Sequence, residues 1–589
     1  MTQSELLEEY KSSNKQGPVL IYSHNITSMC NPMLKNRDKL SQDLIESPQE
    51  CHVHFPKFLE HHFKCEELSS FSILSEDDVR KVMRSRPTKH CRLDPVPTWL
   101  LKNNCDPMLP LMTAIINSSL MSGVFPGDFK IGVLQPLLKK IGLEPMVFKN
   151  LRPVSNLAFL SKVLESVVCG QYRGHLIKNG LDEVYQSAYK ENHSVETAIV
   201  SVHNDIVRAL DNKKAVVLVL LDLSAAFDTV DHDILLKLLN ERIGVSGTAL
   251  KWFSSYLKGR SQYVVVNGKT SKPAKLNCGV PQGSVLGPVL FTTYMLPLGD
   301  ILRESDSDYH CYADDQQIYI EFFIDQSVKG NMERCLESIL SWMKPNFMSC
   351  NTDKTEMSII IPPKCPSPPS FHIVFNGDNV HSSKCIRNLG AFFDDRMTME
   401  HHVNKVCQSA YLHLRNISRI RHCLDRRSCE SLIHAFITSR LDSMNAILYG
   451  IPDNLAAKLQ RVQNSAARLL CGIKKYDHIT PTLKSLHWLP VRQRTVFKIC
   501  VLAYKCIHGT APQYLCKYLE RYSPVRQLRS SDDKYLLVVP KIRTKFGERA
   551  FSWNAAKLWN ELPYGIRSCS TIDTFKKKLK THLFAISYE

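Results

Sequence analysis

Tyr312-Ala313-Asp314-Asp315 places two adjacent carboxylates between two short runs with strand character, Tyr309 to Tyr312 and Gln316 to Ile320. Neighbouring side chains on a strand point to opposite faces. Adjacent acids therefore make little sense as packing and fit a tight hairpin tip. Such a tip can present oxygen ligands to a hard divalent cation, although alone the pair also fits a solvated turn. Asp222 supplies a partner. It ends Ala215-Val-Val-Leu-Val-Leu-Leu221, a continuous aliphatic run as expected of a strand buried on both faces. A carboxylate there is costly unless a cation or a solvated cleft balances it, although a helix N-cap after a strand would also use one. Asp222 and Asp314 can clamp two Mg²⁺ ions roughly 3.5–4 Å apart, with Mn²⁺ an alternative, and Asp315 adds a third carboxylate. Gly279-Val-Pro281-Gln282-Gly283-Ser284-Val-Leu-Gly287-Pro288 is the third piece. Glycine and proline at this density make a rigid turn with close backbone approach. It can slide under a flat ligand such as a nucleotide, or serve as a structural loop.

The elements that must position these residues are legible in outline. Residues 1 to about 70 are polar and irregular, as for a linker or a remnant. From Leu74 the pattern turns helical, with Ser75 as N-cap and acids in the first turn. Leu109 to Met121 reads as a helix stopped by Gly123 and Pro126, and Ile131 to Leu138 as a strand. Leu157 to Leu176 and Ser194 to Leu210 read as amphipathic helices. Asp233 to Leu239, Thr248 to Leu257, Val289 to Leu296 and Met332 to Trp342 are expected to be helical. Ser261 to Val266 is expected to be a strand turning at Asn267-Gly268. Pro362 to Pro369 is a proline-rich connector. From His401 onward the chain reads as mostly helical and basic.

Composition narrows the class. The 589 residues are 44% hydrophobic, ordinary for globular protein and enough for roughly three to four domains. The longest aliphatic run, Ala215 to Leu221, is far too short to span a bilayer. The first residues lack the basic and apolar regions of a signal peptide. An intracellular protein, nuclear or cytoplasmic or both, without a membrane segment is expected. Twenty scattered cysteines with no Cys-x-x-Cys pair read as free thiols. Cys500, Cys506 and His508 have no second ligand pair at zinc-finger spacing. The net charge of +18 is unevenly placed. Residues 401–589 carry 32 Lys+Arg against 12 Asp+Glu, whereas residues 1–400 carry 43 against 45. A near-neutral body with a basic appendage suggests chemistry in one part and a polyanion held by another.

The order Asp222…Phe227, Gly279-Val-Pro-Gln-Gly-Ser and Tyr312-Ala-Asp-Asp resembles motifs A, B and C of reverse transcriptases. Asn150-Leu-Arg152-Pro153-Val154-Ser155-Asn156-Leu157, Gln186-Ser-Ala-Tyr189 through His193-Ser-Val-Glu196-Thr197, and Leu223-Ser-Ala-Ala-Phe227-Asp-Thr-Val-Asp231-His232 resemble the non-LTR (LINE-type) retrotransposon branch. The resemblance runs from about residue 70 to the C-terminus. It implies an α+β right-hand polymerase with fingers, an antiparallel palm sheet and a helical thumb, followed by a basic, mostly helical C-terminal extension. It implies Mg²⁺-dependent transfer of a deoxynucleotidyl group from a dNTP to a primer 3′-hydroxyl on an RNA template. The partners implied are RNA, a DNA primer or target, and dNTPs. Asp222, Asp314 and Asp315, with the backbone carbonyl of Leu223, would hold the metals. Phe227 would be the steric gate against a ribose 2′-hydroxyl. Gln282 and Gly283 would line the nucleotide pocket. Arg152, with Lys139 or Lys140, would hold the triphosphate. Lys354, in Asn351-Thr-Asp-Lys354-Thr355-Glu356, resembles the motif D lysine that protonates pyrophosphate. Cys385-Ile-Arg-Asn-Leu389-Gly390 resembles the primer grip.

The expected divisions are a linker (1–70), an N-terminal helical extension (71–117), fingers and palm (118–394), a helical thumb-like region (395–510) and a C-terminal basic region of unknown role (511–589). Basic residues two turns apart, as in Arg415, Arg419 and Arg421 or Arg461 and Arg468, with Arg492, Arg494 and Lys576 to Lys580, are candidates to grip a hybrid duplex. Trp553 and Trp559 could stack on bases or fill a core. Three departures from the family stand out: Lys190-Glu191-Asn192 at a normally more basic finger tip, and Pro345 and Cys350 before motif D. Relatives carry an N-terminal apurinic-type endonuclease that residues 1–70 cannot hold, so a 5′-truncated element or partial reading frame is expected. A catalytically decayed or co-opted nucleic-acid-binding protein, or a retron- or intron-type enzyme, are the other readings.

Overall fold

The computed structural model describes residues 66–588 apart from positions 90, 141, 148–149, 267, 364, 366–370 and 524–534. Most of the expected N-terminal linker, part of the proline-rich connector and Asn267 of the expected turn lie outside the described residues. The fold is mixed α+β. Helix α1 (Glu76–Ser85) starts at a capping box between Ser75 and Asp78. Helix α2 (Leu109–Ser122) ends at Gly123 in the left-handed region. Strands β1 (Ile131–Leu138) and β2 (Leu151–Asn156) form an antiparallel hairpin, followed by helices α3 (Phe159–Lys178) and α4 (Val195–Asp211). The aliphatic run is strand β3 (Ala215–Asp222). Helices α5 (His232–Glu241) and α6 (Gly247–Leu257) lead to strand β4 (Arg260–Val266), and helix α7 (Gly287–Tyr294) follows the glycine-rich loop. Strands β5 (Asp308–Tyr312) and β6 (Asp315–Phe322) flank the Ala313-Asp314 turn. The expected helix at Met332 to Trp342 spans Lys329–Met343 and stops two residues before Pro345. Strand β7 (Glu356–Ile360) precedes a further hairpin, β8 (Cys385–Asn388) and β9 (Ala391–Asp394). Helices α8 (Glu400–Ile420), α9 (Asp453–Cys471), α10 (Val491–Ile507), α11 (Phe551–Glu561) and α12 (Ile572–Tyr588) dominate the remainder. No helix among the described residues is long and apolar enough to cross a membrane. Every described cysteine is a free thiol.

The chain gathers into two compact units. One comprises the described residues up to Glu183, Leu223–Ile301 and Ser338–Cys350. Its sheet runs β2-β1-β4, with β1 parallel to β4. Its core is aromatic: Trp252 stacks on Tyr256 at 5.5 Å, and Phe125 meets both rings edge-on. Glu165 of α3 is buried in this unit. Its Oε2 accepts the backbone N–H groups of Val285 (2.7 Å) and Leu286 (3.2 Å), and its Oε1 accepts from Ser161 Oγ (3.3 Å). Burial pushes this carboxyl up, opposed by the charge of Arg260. A buried acid is retained where it satisfies groups that would otherwise be orphaned, and here those groups belong to the glycine-rich loop.

The other unit comprises Val184–Asp222, Leu302–Glu337 and Asn351 onward. Its sheet is antiparallel, in the order β5-β6-β3-β7. A continuous hydrophobic core joins Val216 and Leu218 of β3 to α4 and to all the later helices, α8 through α12. The expected amphipathic helix Ser194 to Leu210 forms as α4, and its polar face is buried as well as its apolar one. Three of its polar side chains bond to the C-terminal part of the chain. Asp211 accepts from the backbone N–H of Arg543 (2.8 Å) and Thr544 (2.7 Å), Asn204 accepts from Ser552 N–H (2.9 Å), and Asp205 accepts from Tyr518 Oη (2.7 Å). Trp553 and Trp559 are buried, Trp559 completely, which decides between the two readings of these rings in favour of packing.

Replacing Glu165 with Ala strands two backbone donors, one buried and one half-buried. It should cost about 3–5 kcal/mol of stability, with Glu165→Gln costing less. Chemical denaturation measures this, and a loss within 1 kcal/mol for the Ala variant would refute the loop-anchoring role.

Candidate active site

Asp222 and Asp315 are Cα partners in the β3–β6 register, and Tyr312 pairs with Asp315 across the hairpin. Paired residues on antiparallel strands project to the same face. Asp222 and Asp315 thus share one end of the sheet, with Asp314 on the turn beside them. Ala313 holds that turn at φ +55°, the left-handed region. The carboxyl of Asp315 is pushed up to about 6 by desolvation and by the negative charges of Asp314 and Asp222, against the pull of Lys354. The Asp315 side chain keeps solvent contact, so repulsion among the acids is the part of this shift that a cation would relieve.

Lys354 reaches the same place from the β7 side. Its Nζ donates to Asp222 Oδ2 at 2.7 Å, and the backbone N–H of Asn351 donates to the Asp222 carbonyl at 2.8 Å. The lysine is mostly exposed, so the pair itself is a weak source of stability. The donors are all oxygen, which suits Mg²⁺ or Mn²⁺. Among the described residues, no three His, Cys, Asp or Glu side chains converge closely enough to hold an ion by themselves.

A residue whose chemistry the sequence did not disclose holds the acid-bearing turn. Gln186, buried, runs alongside β5. Its Oε1 accepts Ala313 N–H at 2.9 Å and Ala188 N–H at 2.9 Å. Gln316 Nε2 donates to the Ala313 carbonyl at 3.1 Å. These bonds satisfy a strained turn that has no glycine. Signal for Gln186 existed only in the Gln-Ser-Ala-Tyr string, with no indication of its partner 127 residues away.

The remaining expected residues lie in the first unit. Lys139, Lys140 and Arg152 are exposed at the connected end of the β1–β2 hairpin, where Lys139 N–H donates to Asn150 O. Leu223 is buried, bridged to Cys350. Phe227 stacks on Phe291 with ring centres 4.5 Å apart. The glycine-rich loop is bonded tightly to the segment after Phe227. Gly279 N–H donates to Val230 O (2.7 Å), Val280 N–H to Phe227 O (2.8 Å), and a ring nitrogen of His232 bonds Gly279 O (2.8 Å). Gly279 (φ +83°) and Gly283 (φ +119°) sit so close to neighbouring backbone that a Cβ would lie 2.8 Å from Asp228 O and 2.4 Å from Ser155 O. Gln282 accepts from Ser155 N–H through its backbone carbonyl (2.8 Å), and its Nε2 donates to Asp228 Oδ2 (3.0 Å).

In the basic region several expected polyanion contacts are used internally. Arg421 donates to the carbonyls of Leu469 and Leu470 at the end of α9, Arg468 to those of Lys474 and Asp477, and Arg494 pairs with Asp442 through two nitrogens. Helix C-termini leave carbonyls that arginine can satisfy. Arg415, Arg419 and Arg461 are exposed.

Residues 138–393 match the family described as reverse transcriptase (RNA-dependent DNA polymerase). The chain is 26% identical over 396 residues to the "Probable RNA-directed DNA polymerase from transposon BS" of Drosophila melanogaster, covering 65% of this chain and 43% of that protein. It is 25% identical over 383 residues to the corresponding X-element protein of the same organism, covering 64% of this chain and 41% of the relative. It is 25% identical over 317 residues to the RNA-directed DNA polymerase from mobile element jockey, again of D. melanogaster, covering 52% and 33%. The chain thus spans well under half the length of these relatives. The likeness agrees with a LINE-type reverse transcriptase.

Replacing Gln186 with Ala leaves the Ala313 amide without its buried partner, a loss of about 1–3 kcal/mol. Amide exchange across residues 313–315 should accelerate by roughly 10- to 100-fold, while the centres of β3 and β6 stay protected. Unchanged exchange at the turn, read by mass spectrometry, would contradict the assignment.

Proposed function

We propose that this chain, a member of the reverse transcriptase family through residues 138–393, polymerises DNA on an RNA template as the enzyme of a non-LTR retrotransposon. The observation that carries this reading is the registered pair Asp222 and Asp315, with Asp314 on the intervening turn, inside the matched segment. In this reading the β5-β6-β3-β7 sheet is the palm, the β1–β2 hairpin belongs to the fingers, and the helices after β9 include the thumb. Asp222, Asp314 and Asp315, with the Leu223 carbonyl, would hold two Mg²⁺ or Mn²⁺ ions. Held by these residues, such ions would supply activation of a primer 3′-hydroxyl and neutralisation of charge on the triphosphate.

The chain's own residues do the rest by position and charge. Arg152 and Lys139 or Lys140 bind phosphate oxygens, arginine through a planar fork and lysine as a point charge. Phe227, held flat against Phe291, limits the space beneath the sugar and disfavours a 2′-hydroxyl. Gln282 and Gly283 flank the nucleotide. Lys354, carried beside Asp222, can give a proton to departing pyrophosphate. Leu389 and Gly390, both at positive φ in the β8–β9 turn, would present the primer grip. Exposed Arg415, Arg419 and Arg461 are suited to the phosphates of an RNA–DNA hybrid.

Purified chain given poly(rA)/oligo(dT), dTTP and Mg²⁺ should extend the primer. Asp314→Asn should reduce the rate by about 10³-fold, reflecting several kcal/mol of lost charge stabilisation. Hybrid binding without extension by the unsubstituted chain would overturn the polymerase reading in favour of a nucleic-acid-binding protein that has lost its chemistry.

A further inference from the structure

The glycine-rich loop is fixed through its backbone from several directions. Gly279 and Val280 donate to Val230 and Phe227, Val285 and Leu286 donate to Glu165, and the Gln282 carbonyl accepts from Ser155 of β2. None of these bonds involves the Gln282 side chain. That side chain is tied separately, by Nε2 to Asp228 Oδ2 at 3.0 Å. The two tasks, fixing the loop and orienting the carboxamide, are therefore carried by different groups.

A carboxamide has nearly the same shape in its two flipped orientations, and only its hydrogen-bond partners distinguish the oxygen end from the nitrogen end. An ionised carboxylate accepts and cannot donate. Facing Asp228, Gln282 must present its NH₂, so its Oε1 acceptor occupies the other branch of the amide. A neutral partner such as Asn could accept or donate and would leave the flip undefined. Asp228 is an expensive residue for the purpose. Desolvation pushes its carboxyl up to about 6, with the Gln282 hydrogen bond pulling the other way. A merely structural bond at this position would be met as well by an uncharged side chain.

We infer that Asp228 is a positioning residue that fixes the polarity of the Gln282 carboxamide, so that Gln282 offers an acceptor to a hydroxyl or N–H donor of the incoming nucleotide. This rests on the polymerase reading, in which Gln282 lines the nucleotide site. Asp228 touches neither the reacting atoms nor the metals in this role. Its loss should weaken nucleotide capture rather than the chemical step, since an interaction made equally with ground and transition states appears in KM and not in kcat.

The test is a double-mutant cycle on the full chain, with poly(rA)/oligo(dT), dTTP and Mg²⁺. Asp228→Asn should raise the KM for dTTP by roughly five- to tenfold, about 1 kcal/mol of charge-assisted bonding, with kcat changed less than about twofold. Gln282→Ala alone should raise KM to a similar or larger degree. In the Gln282→Ala background, Asp228→Asn should add nothing, because there is no amide left to orient. A structural role for Asp228 would instead give the same further loss in both backgrounds, overturning the inference. So would an unchanged KM in Asp228→Asn. If that variant unfolds below the assay temperature, Asp228→Glu and Asp228→Ser enter the same cycle, and a KM effect independent of Gln282 again overturns it. Absence of extension by the unsubstituted chain would overturn the polymerase reading and this inference together; extension with an independent Asp228 effect would overturn only the inference.

Discussion

The mutual repulsion of Asp222, Asp314 and Asp315 is the constraint around which the second unit is organised. Carboxylates at one end of a buried sheet raise one another's free energy, and the upward push on Asp315, set first by desolvation and then by the charges of Asp314 and Asp222, registers part of that cost. The apolar strands and helices behind them supply the compensation. β3 is buried along nearly its whole length and paired on both sides, so its last residue cannot swing away from the charge beside it. Gln186 and Gln316 hold the left-handed turn, and Lys354 offsets part of the charge. In the polymerase reading, a divalent cation bound there would release this unfavourable electrostatics, an exchange of stability for function.

The C-terminal part of the chain belongs to this same arrangement. It buries the polar face of α4 and meets Asp205, Asp211 and Asn204 with backbone and hydroxyl donors. Gly547 lies against the Asp211 carboxylate, where a Cβ would fall 2.6 Å from Cγ. Basic residues here divide into two groups. Arg421 closes the end of α9, Arg468 bonds carbonyls of the loop beyond it and Arg494 pairs with a carboxylate, whereas Arg415, Arg419 and Arg461 keep their charge at the surface. Net charge alone therefore overstates how much of this region is available to a polyanion.

What could be read from residues alone followed physical range. β3 was evident because a continuous aliphatic run admits few other structures, and Asp222 stood out because a charge ending such a strand needs a reason. The hairpin around Asp314 was evident from alternation and local turn chemistry. Helix limits such as Ser75, Ser194 and Gly123 were close, since caps are local. Glu165, Gln186 and Asp228 escaped as supports because each is a buried or half-buried polar residue whose partner lies 54 to 127 positions away. No local pattern encodes such pairing. The burial of α4 on its polar face escaped for the same reason, its partners lying more than 300 residues downstream.

Thermal unfolding of the unsubstituted chain and of Asp314→Asn, each in chelator and then in excess Mn²⁺, tests the central claim most directly. If the acids are held together against their own repulsion to receive a cation, the Asn variant unfolds at higher temperature than the unsubstituted chain in chelator. Mn²⁺ then raises the unfolding temperature of the unsubstituted chain, because it binds the folded state alone, and leaves the variant nearly unmoved. An Asn variant that is no more stable in chelator and responds to Mn²⁺ as the unsubstituted chain does would contradict the account.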